Sequence, residues 1–366
     1  MSKFKVIQLL PELNIGGVER GTKDFSKVLV ERGHDSLVIS NGGIFEKDII
    51  EDGGKHINLP IHKKSLFSIR YASDLRDIYL SEKPDIVHVR SRMPAWINYF
   101  AYKKLSHKPL LVSTFHGLYS TPLYSQVMSK VDHIIAISKT VKDYIQGTYK
   151  VPNEKITVIP RGCDPEIFNK NPVEEKWIKK WYEEFPQTQD KIILTMPTRI
   201  SKWKGVDSFI DLVNLLDDDN YHALIVGPTA KSKKSYLKQL QNKISNYGIE
   251  GKITITGSRN DISNIYKISD FVFNLSIKPE PFGRTTIEAI SSGSKVIGWN
   301  HGGTKEILEE LYPDGLVELD NIEDLAEKVI NLSNMTNNMP KENIFTSESM
   351  TNQTISLYQE LLAKRL

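Results

Sequence analysis

One cysteine, Cys163, stands in a chain of 366 residues, which excludes an intrachain disulfide and fits a reducing compartment. No activating pattern surrounds it, so it reads as buried filler rather than as a nucleophile. Long apolar runs are missing too. Nothing approaches the roughly 20 residues that span a bilayer, and the run at residues 6–10 stops at Pro11, too short for the core of a secretion signal. The expected location is cytoplasmic, either free or on the inner face of the plasma membrane. Charge of one sign is also scarce: with a net of +3 the chain as a whole makes no demand for nucleic acid, and any basic surface has to be local. There is no internal repeat and no low-complexity tract.

What is present is 39% hydrophobic and 25% charged residues, the balance of a soluble globular protein, over a length with room for two domains that each build a core. Strand-length apolar runs at residues 6–10, 36–40, 55–59, 85–89, 110–114 and 133–137 alternate with helical patterns. The alternation returns at 191–196, 221–227, 252–256, 271–275 and 295–299. Such runs, separated by helices, predict doubly wound parallel sheets covered on both faces. The expected class is α/β, with two Rossmann-like domains facing across a cleft. A dinucleotide-binding reading needs G-x-G-x-x-G after the first strand and an acid closing the second. Here the first loop offers only the paired Gly16 and Gly17 at a helix start, and the second strand runs into Asn41-Gly-Gly43.

Ligands of such sheets bind at the carboxyl ends of the strands. The richest of these ends is Glu280-Pro-Phe-Gly-Arg-Thr-Thr-Ile-Glu288. Pro279 and Pro281 set Glu280 on a loop, and Glu288 falls about one turn into the following helix. Between them, Gly283-Arg284-Thr285 presents backbone N–H groups at a helix N-terminus, with a glycine that lets a bulky anion approach. Two carboxylates flanking an anion site suit a nucleotide-sugar, whose hydroxyls want acceptors and whose diphosphate wants donors. An amphipathic helix with a solvated Glu at either end would use the same residues.

Arg199 and Lys204 follow the 191–196 run, where both can neutralise charge on a departing diphosphate; Lys202 between them reads as solvent-facing. His116 and Gly117 close the 110–114 run, and His88 lies inside its own strand and reads as structural. Arg90 and Arg92 end another strand and suit an anionic group such as an acceptor phosphate. The helix after them carries Trp96, Tyr99, Phe100 and Tyr102 beside Lys103 and Lys104. That composition serves a membrane-interface surface, and equally a helix packed on a sheet. Asp217-Asp-Asp219, at the opposite sheet end, reads as a solvated turn rather than a metal site.

Together these motifs resemble the retaining glycosyltransferases of family 4, of the bacterial cell-envelope polysaccharide type, which have the GT-B fold. The resemblance runs from Gly16-Gly17 to Glu306. It implies that Glu280 contacts the donor sugar and Glu288 the ribose, and that Arg199 and Lys204 form the pyrophosphate pair of an Arg-x4-Lys-Gly spacing. It implies further that Phe282, Gly283, Arg284, Thr285 and Thr286 line the donor site, with Gly16 and Gly17 facing the donor and His116 near its sugar. Ser258 and Arg259 would stand beside the base. Ile159-Pro-Arg-Gly-Cys-Asp164 resembles the family's domain junction, and Gly302-Gly-Thr-Lys-Glu306 its Gly-Gly-x-x-Glu segment. The implied domains are an acceptor-side domain at 1–165, a nucleotide-sugar domain at 166–345, and a terminal helix at 346–366 crossing back to the first; residues 169–190 form a transition.

The function so implied is retaining transfer of a sugar from a nucleotide-diphosphate donor to a hydroxyl of a sugar or lipid-linked glycan, in lipopolysaccharide or other envelope glycan synthesis. Neither cofactor nor bound metal is expected. A nucleotide-sugar epimerase of the same fold and a noncatalytic nucleotide-sugar binder stay open as alternatives; the former would consume donor without an acceptor, and the latter would bind without turnover.

Overall fold

Parallel strands build both halves of the computed structural model, which describes residues 3–335 and 337–365. The chain divides into two compact units, Met1–Pro160 with Glu348–Leu366, and Arg161–Ser347.

The first unit holds seven strands: Lys5–Leu9 (β1), Asp35–Ser40 (β2), Lys55–Asn58 (β3), Ile86–Val89 (β4), Leu110–Phe115 (β5), His133–Ala136 (β6) and Ile156–Val158 (β7). They lie in the order β3-β2-β1-β4-β5-β6-β7. β1, β4 and β5 are sealed on both faces, which is why their sequences read as near-continuous Val, Ile and Leu. The strand order reverses between β1 and β4, with Leu9 opposite Val89.

Over one face of this sheet lie the Gly17–Glu31 and Ser347–Ala363 helices. Phe25, Leu29, Ile355, Leu357 and Tyr358 meet Val6, Ile86 and Val112 in one apolar cluster. The terminal helix is pinned by a polar bridge as well. The Tyr358 hydroxyl is 2.5 Å from His88 Nδ1, and His88 Nε2 is 2.7 Å from the Thr114 hydroxyl. Burial holds His88 well below the usual imidazole range, with Arg90 and His116 adding to the effect. A neutral imidazole that is fully bonded is a structural part, as the sequence suggested.

The second unit holds six strands: Ile192–Pro197 (β8), Tyr221–Val226 (β9), Ile253–Gly257 (β10), Phe271–Asn274 (β11), Lys295–Trp299 (β12) and Leu316–Val317 (β13), ordered β10-β9-β8-β11-β12-β13. Its reversal falls between β8 and β11. One element departs from expectation. The transition at 169–190 contains a helix, Glu175–Glu184, whose Trp181 is buried against Ile193, Leu224 and Ile265 while Trp177 stacks on it. Charged residues dominate its composition, yet Trp177, Trp181 and Phe185 recur at helical spacing and form one apolar stripe.

Candidate functional site

At the β8/β11 reversal two loops meet that are distant in sequence. The loop after β8 carries Arg199 and Lys204. Gly205 ends it in the left-handed region at φ 75°, and a Cβ there would lie 1.8 Å from the Leu275 carbonyl oxygen. Only glycine permits that approach. The Ile277 amide then donates to the Trp203 carbonyl at 2.9 Å, locking the two loops together. As a result Lys204 Nζ forms an ion pair with Glu280 Oε1, with the two side chains 19% and 12% exposed. The Ser276 hydroxyl donates to the same oxygen at 2.5 Å. Both bonds land on Oε1. Arg199 is exposed and forms no ion pair among the described residues.

A third segment braces Glu280 from behind. The β12 residue Trp299 donates from Nε1 to the Leu275 carbonyl at 3.0 Å, His301 Nε2 is 2.7 Å from the Ser276 carbonyl, and the Gly303 amide donates to the Glu280 carbonyl at 2.7 Å. The Gly302-Gly303 pair therefore supports the Glu280 loop backbone to backbone. His301 is part of that brace.

Glu288 lies in the Arg284–Ser291 helix, only 8% exposed, and accepts from Arg284 Nη2 at 2.9 Å. Gly283 precedes the helix at φ 103° and no side chain caps it. First-turn amides without side-chain caps and a positive helix end form an anion-binding edge. The Thr286 amide donates to the Gly283 carbonyl at 3.1 Å, and its hydroxyl is buried, accepting from Asn274 Nδ2 at 3.2 Å. Phe282 is likewise buried, edge-on to Phe345, and shapes the loop from inside.

Ser258 is exposed at the end of β10. Arg259, expected beside the base, is committed elsewhere. It pairs with Asp261 and with Glu184, each at 2.8 Å, and lies over the Trp181 and Phe185 rings. Two carboxylates and two rings make it a tie to the Glu175–Glu184 region, which sequence spacing alone could not show. Asp217 and Asp219 both pair with Lys252, as a surface turn does.

In the first unit, Gly17 begins the Gly17–Glu31 helix and Gly16 is its extended N-cap. His116 directly follows β5 and is half-buried. Arg90 follows β4 and is 6% exposed; Nε donates to Gln8 Oε1 at 2.8 Å and the guanidinium lies over Phe25. Burial lowers its pKa to about 10. Arg92 rests over the Tyr119 and Tyr124 rings and donates to the Ser125 hydroxyl at 3.3 Å. Among the described residues, neither arginine forms an ion pair with a carboxylate. The helix that follows, Arg92–Tyr102, buries Met93, Ile97, Asn98 and Ala101 and leaves its aromatics on the outer side. There Trp96 stacks on Phe100 and Tyr124, Lys103 and Lys130 lie over Tyr99, and Phe100 is exposed. Phe67 and Leu123, in the short helices Leu66–Arg70 and Pro122–Ser125 of this unit, are more than four-fifths exposed.

Two parallel-sheet units of these strand orders, the second with an acid–cation pair and an anion-binding helix start at its reversal point, define the GT-B fold. The comparisons agree. Residues 15–167 match the model of Glycosyltransferase Family 4, and residues 178–347 that of Glycosyl transferases group 1. The crystal structure of a glycosyltransferase from Rickettsia africae ESF-5 is 31% identical, with a TM-score of 0.85 and 99% of both chains covered. The chain belongs to this family of glycosyltransferases. It is 25% identical to one chain of human phosphatidylinositol N-acetylglucosaminyltransferase over 325 residues, 81% of this protein and only 62% of that relative's length. It is 24% identical to the UDP-Gal:alpha-D-GlcNAc-diphosphoundecaprenol alpha-1,3-galactosyltransferase of Escherichia coli over 354 residues, 91% of this protein and 88% of the other. Among the described residues, no helix is long and apolar enough to cross a membrane.

Proposed function

We propose that the protein transfers a sugar, with retention at the anomeric carbon, from a nucleotide-diphosphate donor to an acceptor hydroxyl, and that no metal ion takes part. The observation that carries this reading is the junction of Lys204 and Glu280 at the reversal point of the second sheet, with Arg199 on the same loop as Lys204. Arg199 and Lys204 neutralise charge as the bond from anomeric carbon to phosphate breaks, the part a divalent cation plays in other sites. Glu280 Oε2 accepts from a sugar hydroxyl while Oε1 stays tied to Lys204 and Ser276. Glu288 accepts from the ribose, and the amides at the start of the Arg284–Ser291 helix hold the diphosphate. No carboxylate is assigned as a nucleophile, so the departing phosphate oxygen takes the acceptor proton on the same face.

The first unit takes the acceptor, with His116 and the Gly16-Gly17 helix start on the loops that follow β5 and β1. Arg90 and Arg92, cations without acid partners, suit an acceptor with phosphate groups. The outer aromatics of the Arg92–Tyr102 helix, with Lys103, Lys104 and Lys130, suit an anionic lipid surface. A lipid-linked envelope glycan combines both features, and the named substrate of the Escherichia coli relative is of that kind. It would be met at the inner face of the plasma membrane.

A thermal-shift panel of UDP, GDP, ADP and their sugars tests the donor site, because a ligand that binds only the folded state raises its melting point. One nucleotide should shift wild type, and the shift should vanish in Glu288→Ala. No response to any of them sinks the reading. Flotation with anionic vesicles tests the lipid surface separately, and no flotation together with full activity on a soluble acceptor removes it.

A further inference from the structure

Behind the Gly283 turn lies a hydroxyl that the folded chain leaves unsatisfied. Thr304, in the first turn of the Gly302–Leu311 helix, is 2% exposed, and its Oγ1 is sealed from solvent with no hydrogen-bond partner among the described residues. Buried hydroxyls in that condition are destabilising and uncommon. Its surroundings point to what it awaits. A Cβ placed on Gly283 would meet Thr304 Oγ1 at 3.4 Å and Thr286 Oγ1 at 3.3 Å, so both hydroxyls lie directly under the turn. Thr286 already has Asn274 as a partner. Gly303, next to Thr304, is pressed so closely on the turn that a Cβ there would lie 2.4 Å from the Phe282 carbonyl oxygen. The Phe282–Gly283 peptide thus passes beside an idle donor, at a glycine whose φ of 103° lets the peptide rotate at little steric cost.

We propose that Thr304 is a positioning residue for the donor diphosphate, an inference that rests on the functional reading above. When the diphosphate docks on the amides at the start of the Arg284–Ser291 helix, the Phe282–Gly283 peptide turns, its N–H toward the anion and its carbonyl toward Thr304. The Thr304 hydroxyl then donates to that carbonyl and holds the turn in its binding form. The hydrogen bond is made only with donor in place, so the hydroxyl contributes to binding and not to the stability of the unliganded fold.

The test compares Thr304→Val, which keeps the shape and removes the hydroxyl, with Thr304→Ser, which keeps the hydroxyl. Three readouts are needed: the melting point without ligand, its shift by the nucleoside diphosphate that shifts wild type, and donor KM against kcat. Thr304→Val should melt no lower than wild type, respond less to the nucleotide and show a donor KM about tenfold higher with a smaller change in kcat, a tenfold change being about 1.4 kcal/mol. Thr304→Ser should restore the nucleotide response. A lower melting point for Thr304→Val would show that the hydroxyl is bonded in the fold and overturn the proposal. So would a raised melting point with a wild-type nucleotide response, since the hydroxyl would then be idle. If wild type answers to no nucleoside diphosphate, the functional reading falls and this inference with it, an outcome distinct from the other two.

Discussion

The ligand-side edges of the two sheets are built on opposite electrostatic plans. In the second unit Lys204 pairs with Glu280 and Arg284 with Glu288, with Arg199 alone exposed and outside any ion pair among the described residues, and the loops carrying Lys204 and Glu280 touch backbone to backbone. In the first unit Arg90 and Arg92 find, among the described residues, a glutamine, a serine and aromatic rings but no carboxylate. A matched edge is rigid before the ligand arrives, which suits a donor whose diphosphate and sugar must be held in one geometry. An unmatched edge leaves positive charge to be satisfied from outside, which suits an acceptor that brings its own phosphate.

Breaking the pair should give the largest effect. Lys204→Met is expected to lower kcat by about 10²–10³ with a smaller change in donor KM. It should also cost about 1–3 kcal/mol of stability, because Glu280 is left with Ser276 alone. An unchanged kcat with raised KM would make Lys204 a ground-state contact only. In the double variant Lys204→Met/Glu280→Gln, denaturant titration should recover most of the lost stability while activity stays absent.

The first unit should answer differently. Arg90→Met strands no acid, and the relief of burying a cation offsets the loss of the hydrogen bond to Gln8 Oε1, so stability should hold within about 1 kcal/mol. Acceptor KM should still climb about tenfold or more. A loss of stability as large as that of Lys204→Met would erase the contrast. A smaller effect is expected at the terminal helix: Tyr358→Phe leaves His88 Nδ1 without its partner and should cost about 1–2 kcal/mol, with kinetics near wild type.

The smallest effect is common to both units. Burial holds His88 well below the usual range and brings His222 down to about 4, with Lys191 adding to the latter. Each is neutral in the fold and binds a proton more readily unfolded, so its contribution is fully present above pH 6.5 and is lost as pH falls from there toward 4. The melting point should therefore be lower at pH 5 than at pH 7. A flat profile across that window would mean that these rings are solvated.

Legibility followed the range of the interactions. Strands sealed on both faces announce themselves as apolar runs, and Glu280, Glu288, Arg199 and Lys204 stand in local spacings around turn-forming residues. The Glu175–Glu184 helix went unread because its few aromatics are diluted by charge, although their spacing carries the stripe. The tie of Arg259 to Glu184 was not legible because the two lie 75 residues apart.

By itself the sequence determined the class of fold, the strand–loop–helix units and the kinds of residue at each carboxyl end, since these depend on periodicity and on glycine and proline within a few positions. Only the tertiary structure decided which of those residues meet. Lys204 and Glu280, 76 positions apart, become a pair because Gly205 lets one loop rest on another. Thr304 lies under the Gly283 turn without a hydrogen-bond partner among the described residues. Pairing and its absence depend on where two backbones cross, and no local pattern encodes that.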